Sequence, residues 1–209
     1  VGRKRGEKNT HEAECLPFFN LKEGNPQVEY KPFVLFVGRI EKQKGLMSLV
    51  KAFQNTDYNL KIIGFSNDGY EDELKAYLNG KRHHIEFLGK MNFEQIVPYL
   101  KSCLCTVVPS EWYDNFPNVI LESFAYKKAV VATNFGSLPE LVRNGETGLT
   151  FNYQDVEDFR SKIAYFFAHP TEAKAMGENA FQNVQTCFSP AEHYNRLMKL
   201  FNDITGKQK

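Results

Sequence analysis

From residue 32 onward the chain alternates between two kinds of segment. PFVLFVG (32–38) is an unbroken apolar run of aromatic and β-branched residues, the pattern of a buried strand. GLMSLVKAFQ (45–54) then sets Leu46, Leu49, Val50 and Phe53 at helical spacing. The alternation continues with a strand in LKIIGF (60–65), a helix in YEDELKAYL (70–78), a strand in HIEFLG (84–89) and a helix in NFEQIVPYLKS (92–102). CLCTVVP (103–109) reads as a fourth strand, PNVILESFAYK (117–127) as a fourth helix and AVVAT (129–133) as a fifth strand. After GLTF (148–151), helical stretches over 155–168, 171–186 and 190–204 follow with no strong strand between them. Strands alternating with helices predict right-handed crossovers: an α/β, doubly wound, mostly parallel sheet with helices on both faces. Residues 1–30 show no clear periodicity and carry Gly24-Asn25-Pro26, a turn or linker signal, so they read as a linker ahead of one domain over 31–209.

Composition narrows the partners. A net charge of +1 gives no reason to expect nucleic acid or an acidic polymer. The basic opening VGRKRGEKN reads first as a solvated tail and second as a contact for an anionic surface. No apolar run approaches the ~18–20 residues that span a bilayer, and no signal-peptide pattern opens the chain. The four cysteines are Cys15, Cys103, Cys105 and Cys187. Cys103 and Cys105 lie two apart in a predicted strand and are badly placed to bridge. No Cys/His cluster has zinc spacing, and His83 and His84 are adjacent rather than a helical turn apart. The expectation is a reduced, cytoplasmic chain without a structural metal. The first residue, Val1, suggests a piece of a longer chain.

In open α/β sheets ligands sit beyond the carboxyl ends of the strands, so the loops there are where chemistry is expected. In GRIEKQKG (38–45), Arg39 leaves the first strand after Gly38, and Lys44 opens the next helix. Two cations at a helix N-terminus make a diphosphate site; two surface cations near a turn are the other reading. The order Lys-Gly rules out a Walker loop. The second strand runs into IIGFSNDGYEDEL, where Gly64, Asn67 and Gly69 either admit a ligand to the backbone or simply make a turn.

The richest stretch is PSEWYDNFPNVILESFA (109–125), in which Glu122 is the one charged side chain between 115 and 126. A lone carboxylate among apolar residues is costly unless something meets it. Asn118 and Glu122 are four apart on one helical face, and Pro117 suits a first helical turn. Helical side chains lean toward the N-terminus, so Glu122 reaches back toward the loop that carries Asp114. Two carboxylates beside exposed backbone N–H groups suit a ligand with hydroxyls at both ends and a phosphate between. The alternative is a Glu that escapes to solvent along a helix edge.

These residues carry a resemblance. From about Leu16 to Ile204 the chain is similar to the carboxyl-terminal, donor-binding half of a family 4 glycosyltransferase. The shared marks are FVGRIEKQKG, IIG, FLGKM and the long stretch PSEWYDNFPNVILESFAYKKAVVATNFGSLPELVRNGETGLTF. The resemblance implies a Rossmann-like domain, half of a GT-B fold, in a retaining hexosyltransferase that builds a polysaccharide or glycolipid. The family's pair of acidic residues spaced by seven falls on Asp114 and Glu122. By resemblance, Arg39 and Lys44 hold the donor diphosphate, Asp114 meets the donor sugar, and Glu122 accepts hydrogen bonds from the ribose. Gly38, Gly64, Phe116, Asn118 and Val119 bring backbone to the donor, with N–H groups of Phe116 and Asn118 facing sugar and phosphates. The segment with Gly89 and Met91 lies against the base.

The same resemblance implies no cofactor or metal and a nucleotide-diphosphate sugar as substrate, a UDP-linked donor being favoured over a GDP-linked one. The partner is an acceptor domain on the amino-terminal side or on another chain, with peripheral contact to the inner face of a membrane through it. Two departures weaken the transfer: Asp114 stands where the family often has Glu, and Pro117 where many members have Gly, which removes one N–H donor. The turn after Gly64 is also longer than usual. A whole enzyme of this type has a second domain, for which about thirty irregular residues leave no room. The chain alone is therefore expected to be an inactive fragment, with a two-chain enzyme or a non-catalytic nucleotide-sugar-binding module as alternatives.

Overall fold

The computed structural model describes residues 25–114, 117–187 and 190–206. Six strands, β1 (Phe33–Val37), β2 (Asn59–Ile63), β3 (His84–Gly89), β4 (Cys105–Val108), β5 (Val130–Thr133) and β6 (Gly148–Phe151), form one parallel sheet in the order β3-β2-β1-β4-β5-β6. The helices are α1 (Leu46–Phe53), α2 (Tyr70–Leu78), α3 (Phe93–Ser102), α4 (Asn118–Ala125), α5 (Leu138–Leu141), α6 (Val156–Ala168), α7 (Pro170–Cys187) and α8 (Pro190–Thr205). The α/β, doubly wound reading is thus what the chain adopts.

Alternation along the strands explains the two covered faces. Val34, Phe36, Leu60, Ile62, Cys105 and Val107 point to one side and join Leu49, Phe53, Leu74, Phe159 and Phe166 of α1, α2 and α6. Phe33, Leu35 and Ile63 point to the other, with Ile96 and Leu100 of α3. On that second side Val108, Val130 and Ala132 meet Leu121 and Phe124 of α4 and Ala180 and Val184 of α7. β1 and β4, at the centre of the sheet, are covered on both faces, which is why their runs are apolar apart from Thr106.

Several details depart from the pattern. β4 is shorter than its apolar run: Cys103 caps α3, its N–H donating to the Tyr99 carbonyl at 2.8 Å. Cys103 and Cys105 are therefore not alternating positions of one strand, although both are buried free thiols, and burial pushes the Cys103 thiol up to about 12. GLTF is a true sixth strand paired with β5, Lys42–Lys44 forms a 3-10 turn, and LPEL forms the short α5. Pro117 precedes α4 rather than opening its first turn. At the opposite end of the sheet from the site, Tyr30 donates to the Lys127 carbonyl at 2.7 Å, and the wholly buried Lys128 bonds the Glu29 carbonyl and sits over the Tyr30 ring. The segment entering β1 is thereby tied to the sheet.

One glycine positions the site. Gly45 caps α1 in a left-handed conformation (φ 69°), and a Cβ there would lie 1.8 Å from the Pro109 carbonyl oxygen, just past β4. Gly69 caps α2 with nearly the same φ, 77°, yet a Cβ there would meet nothing within 4 Å. The pair separates backbone strain from steric contact. Gly69→Ala should cost about 1 kcal/mol, the left-handed penalty alone. Gly45→Ala should cost at least about 3 kcal/mol, because overpacking adds to that penalty. Equal losses in urea unfolding would show that the α1 turn is not pressed against β4.

Candidate functional site

The order β3-β2-β1-β4-β5-β6 reverses direction between β1 and β4, and crossovers leave β1 and β4 in opposite directions. The carboxyl ends of these two strands must therefore diverge into a crevice, the switch point of an open sheet. A cleft of about 420 Å³ lies there, lined by Gly38, Arg39 and Lys44 from the first loop and by Ser110, Asp114, Asn118, Val119 and Glu122 from the loop and helix after β4. Seven of the ten residues expected at a site thus come to one place, from positions 38 to 122.

The other three lie differently. Gly64 is not in the lining: a Cβ there would fall 1.9 Å from the Gly38 carbonyl oxygen, so it lets β2 approach the first loop closely. Met91 packs half-buried with Phe93 and Val97 around the core on the α3 side. Phe116 lies outside the described residues.

The cleft is bound together by polar contacts. Lys44 Nζ donates to both carboxylate oxygens of Asp114, at 2.9 and 2.7 Å, across 70 residues of sequence. Ser110 Oγ donates to the same carboxylate at 2.6 Å, and Ser137 Oγ donates to the Asp114 carbonyl. The Glu111 N–H bonds the Gln43 carbonyl at 2.8 Å, and Ser48 Oγ bonds Glu111 at 2.6 Å, so the loops after β1 and β4 are stitched together. Arg39 pairs with Glu41 at 2.6 Å, and Gln43 also donates to Glu41. Ser110, Glu41 and Ser137 escaped the sequence reading. A serine four residues before Asp114 was the one local hint.

Two helix N-termini open on this region without a side-chain cap. The residue before α1 is Gly45, and the residue before α4 is Pro117, and neither has a side chain able to accept from the first turn. Helix openings of this kind leave N–H donors for an outside acceptor and carry the positive dipole end. With Arg39 and Lys44 beside them, the arrangement suits an anion. Glu122 is the contrary element: half-buried in the lining, with no hydrogen-bond or ion-pair partner among the described residues, and burial raises its carboxyl above the ordinary 4.5. No group of three or more His, Cys, Asp or Glu among the described residues could hold a metal ion.

A switch-point cleft with two cations and two open helix ends suits an anion, and the α/β fold around it is that of the GT-B class in solved structures. A cyanobacterial protein (Anabaena HepE) in complex with UDP-glucose superposes with a TM-score of 0.72 at 20% identity, covering 83% of this chain and 49% of that one. The family described as glycosyl transferases group 1 matches residues 18–183, and the chain belongs to it. An uncharacterised glycosyltransferase of Methanocaldococcus jannaschii is 34% identical over 70% of this chain and 41% of its own length. A lipopolysaccharide core biosynthesis mannosyltransferase of Rhizobium leguminosarum is 30% identical over 81% of this chain and 50% of its own. The chain thus spans about half or less of the length of these relatives. Among the described residues no helix is long and apolar enough to cross a membrane.

The buried carboxyl makes a signed prediction. A raised pKa means that the folded chain holds the Glu122 proton more tightly than the unfolded chain does, so ionisation costs stability. That cost is fully present above the folded pKa and disappears as pH falls below about 4.5. Glu122→Gln keeps the shape and removes the titration. It should raise the melting temperature at neutral pH, with the gain shrinking toward pH 4. A lower melting temperature at neutral pH would mean that Glu122 holds a structural partner.

Proposed function

We propose that the cleft binds the nucleotide-diphosphate of a sugar donor, UDP-linked, and that the chain is the donor-binding half of a retaining family 4 hexosyltransferase acting on a polysaccharide or glycolipid. The observation that carries this reading is the convergence of Arg39, Lys44 and two uncapped helix N-termini on one switch-point cleft. The UDP-glucose bound by the Anabaena protein and the lipopolysaccharide-core role in the Rhizobium relative's name support the donor and acceptor classes.

In this reading the α1 and α4 N-termini, with the Asn118 and Val119 backbone, receive the phosphates, while Arg39 and Lys44 stabilise charge on the departing nucleoside diphosphate. These cations and helix ends supply the positive charge that other transferases take from a divalent metal, so neither a metal nor a cofactor is required. Asp114 turns to the donor sugar's hydroxyls once the diphosphate competes for Lys44. Glu122 accepts from the ribose, which gives its carboxylate the partner that the described residues do not supply. The reacting end of the acceptor is held by another domain or chain, which touches the inner face of a membrane from the cytoplasm. An apolar stripe on α8, with Tyr194, Phe201 and Ile204 more than half exposed, favours a half-enzyme over a free-standing sensor.

Titration with UDP tests the assignment. Lys44→Ala should cost about 2 kcal/mol of binding, since it removes a charge-assisted contact and leaves Asp114 unpaired beside the phosphates. Arg39→Ala, on a side chain 56% exposed, should cost about 1 kcal/mol. Glu122→Gln should cost roughly 1–2 kcal/mol while stabilising the domain. Unchanged affinity in all three variants would remove the cleft as the nucleotide site. A panel of nucleotide sugars, read by the rise in melting temperature, identifies the donor. The chain by itself should transfer no sugar at a useful rate, and robust transfer by the purified chain would overturn the half-enzyme reading.

A further inference from the structure

Beside the cleft, the loops after β4, β5 and β6 each contribute aromatic rings. Trp112 and Tyr113 follow β4 and are 60% and 69% exposed. Phe135 follows β5 and is partly exposed, and Tyr153 follows β6 at 39% exposed. Three of these rings are in contact. Tyr113 and Phe135 lie 4.7 Å apart between centroids, and Phe135 and Tyr153 stack at 4.7 Å with an interplanar angle of 20°. Tyr113 rests against the Gly136 backbone, where a Cβ would come within 3.5 Å of its ring. The row is joined to the cleft as well as adjacent to it, because Asp114 is the next residue and Ser137 donates to its carbonyl.

Core packing does not account for so much exposed ring surface, since these side chains lie outside the three buried clusters of the domain. The composition also differs from the domain's other exposed apolar surface. On α8 the exposed residues mix Leu197, Met198, Leu200 and Ile204 with aromatics, as protein contacts do. The row is wholly aromatic, with polar groups at its rim: Asn134 and Asn152 are exposed, and Gln154 donates to the Tyr153 hydroxyl at 3.0 Å. Exposed aromatic surface beside amide and hydroxyl groups matches a pyranose, which has an apolar C–H face and a hydroxyl edge.

We propose that Trp112, Tyr113, Phe135 and Tyr153 form a saccharide platform that seats sugar rings of the acceptor next to the cleft. This rests on the glycosyl-transfer reading above. The donor's own sugar is the other source of a pyranose, but it is tethered to the diphosphate within the cleft. The row spans two ring-to-ring steps of 4.7 Å each, longer than one sugar. An oligosaccharide chain fits that length.

Trp112 is the single tryptophan of the chain, so its fluorescence reports on the platform directly. The intact chain is titrated with mannotriose, maltotriose and chitotriose, and separately with UDP by calorimetry. At least one trisaccharide should shift Trp112 emission saturably at millimolar concentration, and Lys44→Ala should leave that response in place. Tyr113→Ala and Tyr153→Ala should each weaken it roughly three- to tenfold, the scale of one aromatic contact, with UDP affinity retained. Tyr153→Phe, which keeps the ring, should restore it. Thermal melts confirm that these exposed substitutions leave the fold intact. If no trisaccharide shifts the emission while UDP binds, the platform is wrong and the donor site stands. If trisaccharide binds and UDP does not, the platform stands as a carbohydrate site and the donor reading fails. A saccharide response abolished by Lys44→Ala would assign it to the cleft and overturn the platform.

Discussion

The α1 turn at Gly45 lies so close to the Pro109 carbonyl that no side chain fits between them, and that closeness shapes the whole site. It holds the loop after β1 against the loop after β4 at the point where the sheet changes direction. Once the loops are in contact, Lys44 and Asp114 meet, Glu111 reaches Gln43 and Ser48, and the two helix openings sit on one region. A bulkier turn would separate the loops and turn the helix ends away from each other. The core beneath is built to permit this approach, with β1 and β4 covered on both faces.

The charges at the cleft are arranged in mutual restraint. Lys44 is held by Asp114 and Arg39 by Glu41, so neither cation is left to wander over the surface. Such partly exposed pairs contribute modestly to stability, on the order of 1 kcal/mol or less. On the proposed function their consequence is competition: an arriving diphosphate must draw each cation away from a carboxylate. Glu122 has no such partner among the described residues, and burial raises its carboxyl pKa.

Much of the fold was legible because apolar strand runs alternate with helical periodicity along the chain. The helix over Tyr70–Leu78 and the strand over His84–Gly89 match their patterns residue for residue. What escaped was short or non-local. Four residues, GLTF or LPEL, carry too little periodicity to declare a strand or a helix, and only pairing with β5 makes Gly148–Phe151 a strand. Local spacing brought Asp114 and Glu122 together and set Lys44 at a helix opening. It could not show that Lys44 and Asp114, 70 residues apart, hold each other. Nor could it show that Tyr113, Phe135 and Tyr153, from three separate loops, stack in one row.

The central claim is that Lys44 is a phosphate ligand held ready by Asp114, and calorimetric titration of UDP into Asp114→Asn tests it most directly. UDP carries no sugar for Asp114 to contact, so only the competition for Lys44 and the repulsion between carboxylate and phosphate are measured. The account predicts tighter binding than in the parent chain, by about 1 kcal/mol, because both the competitor and the repulsion are gone. Weaker or unchanged binding would contradict it, showing that Asp114 does not hold Lys44 in competition with the diphosphate.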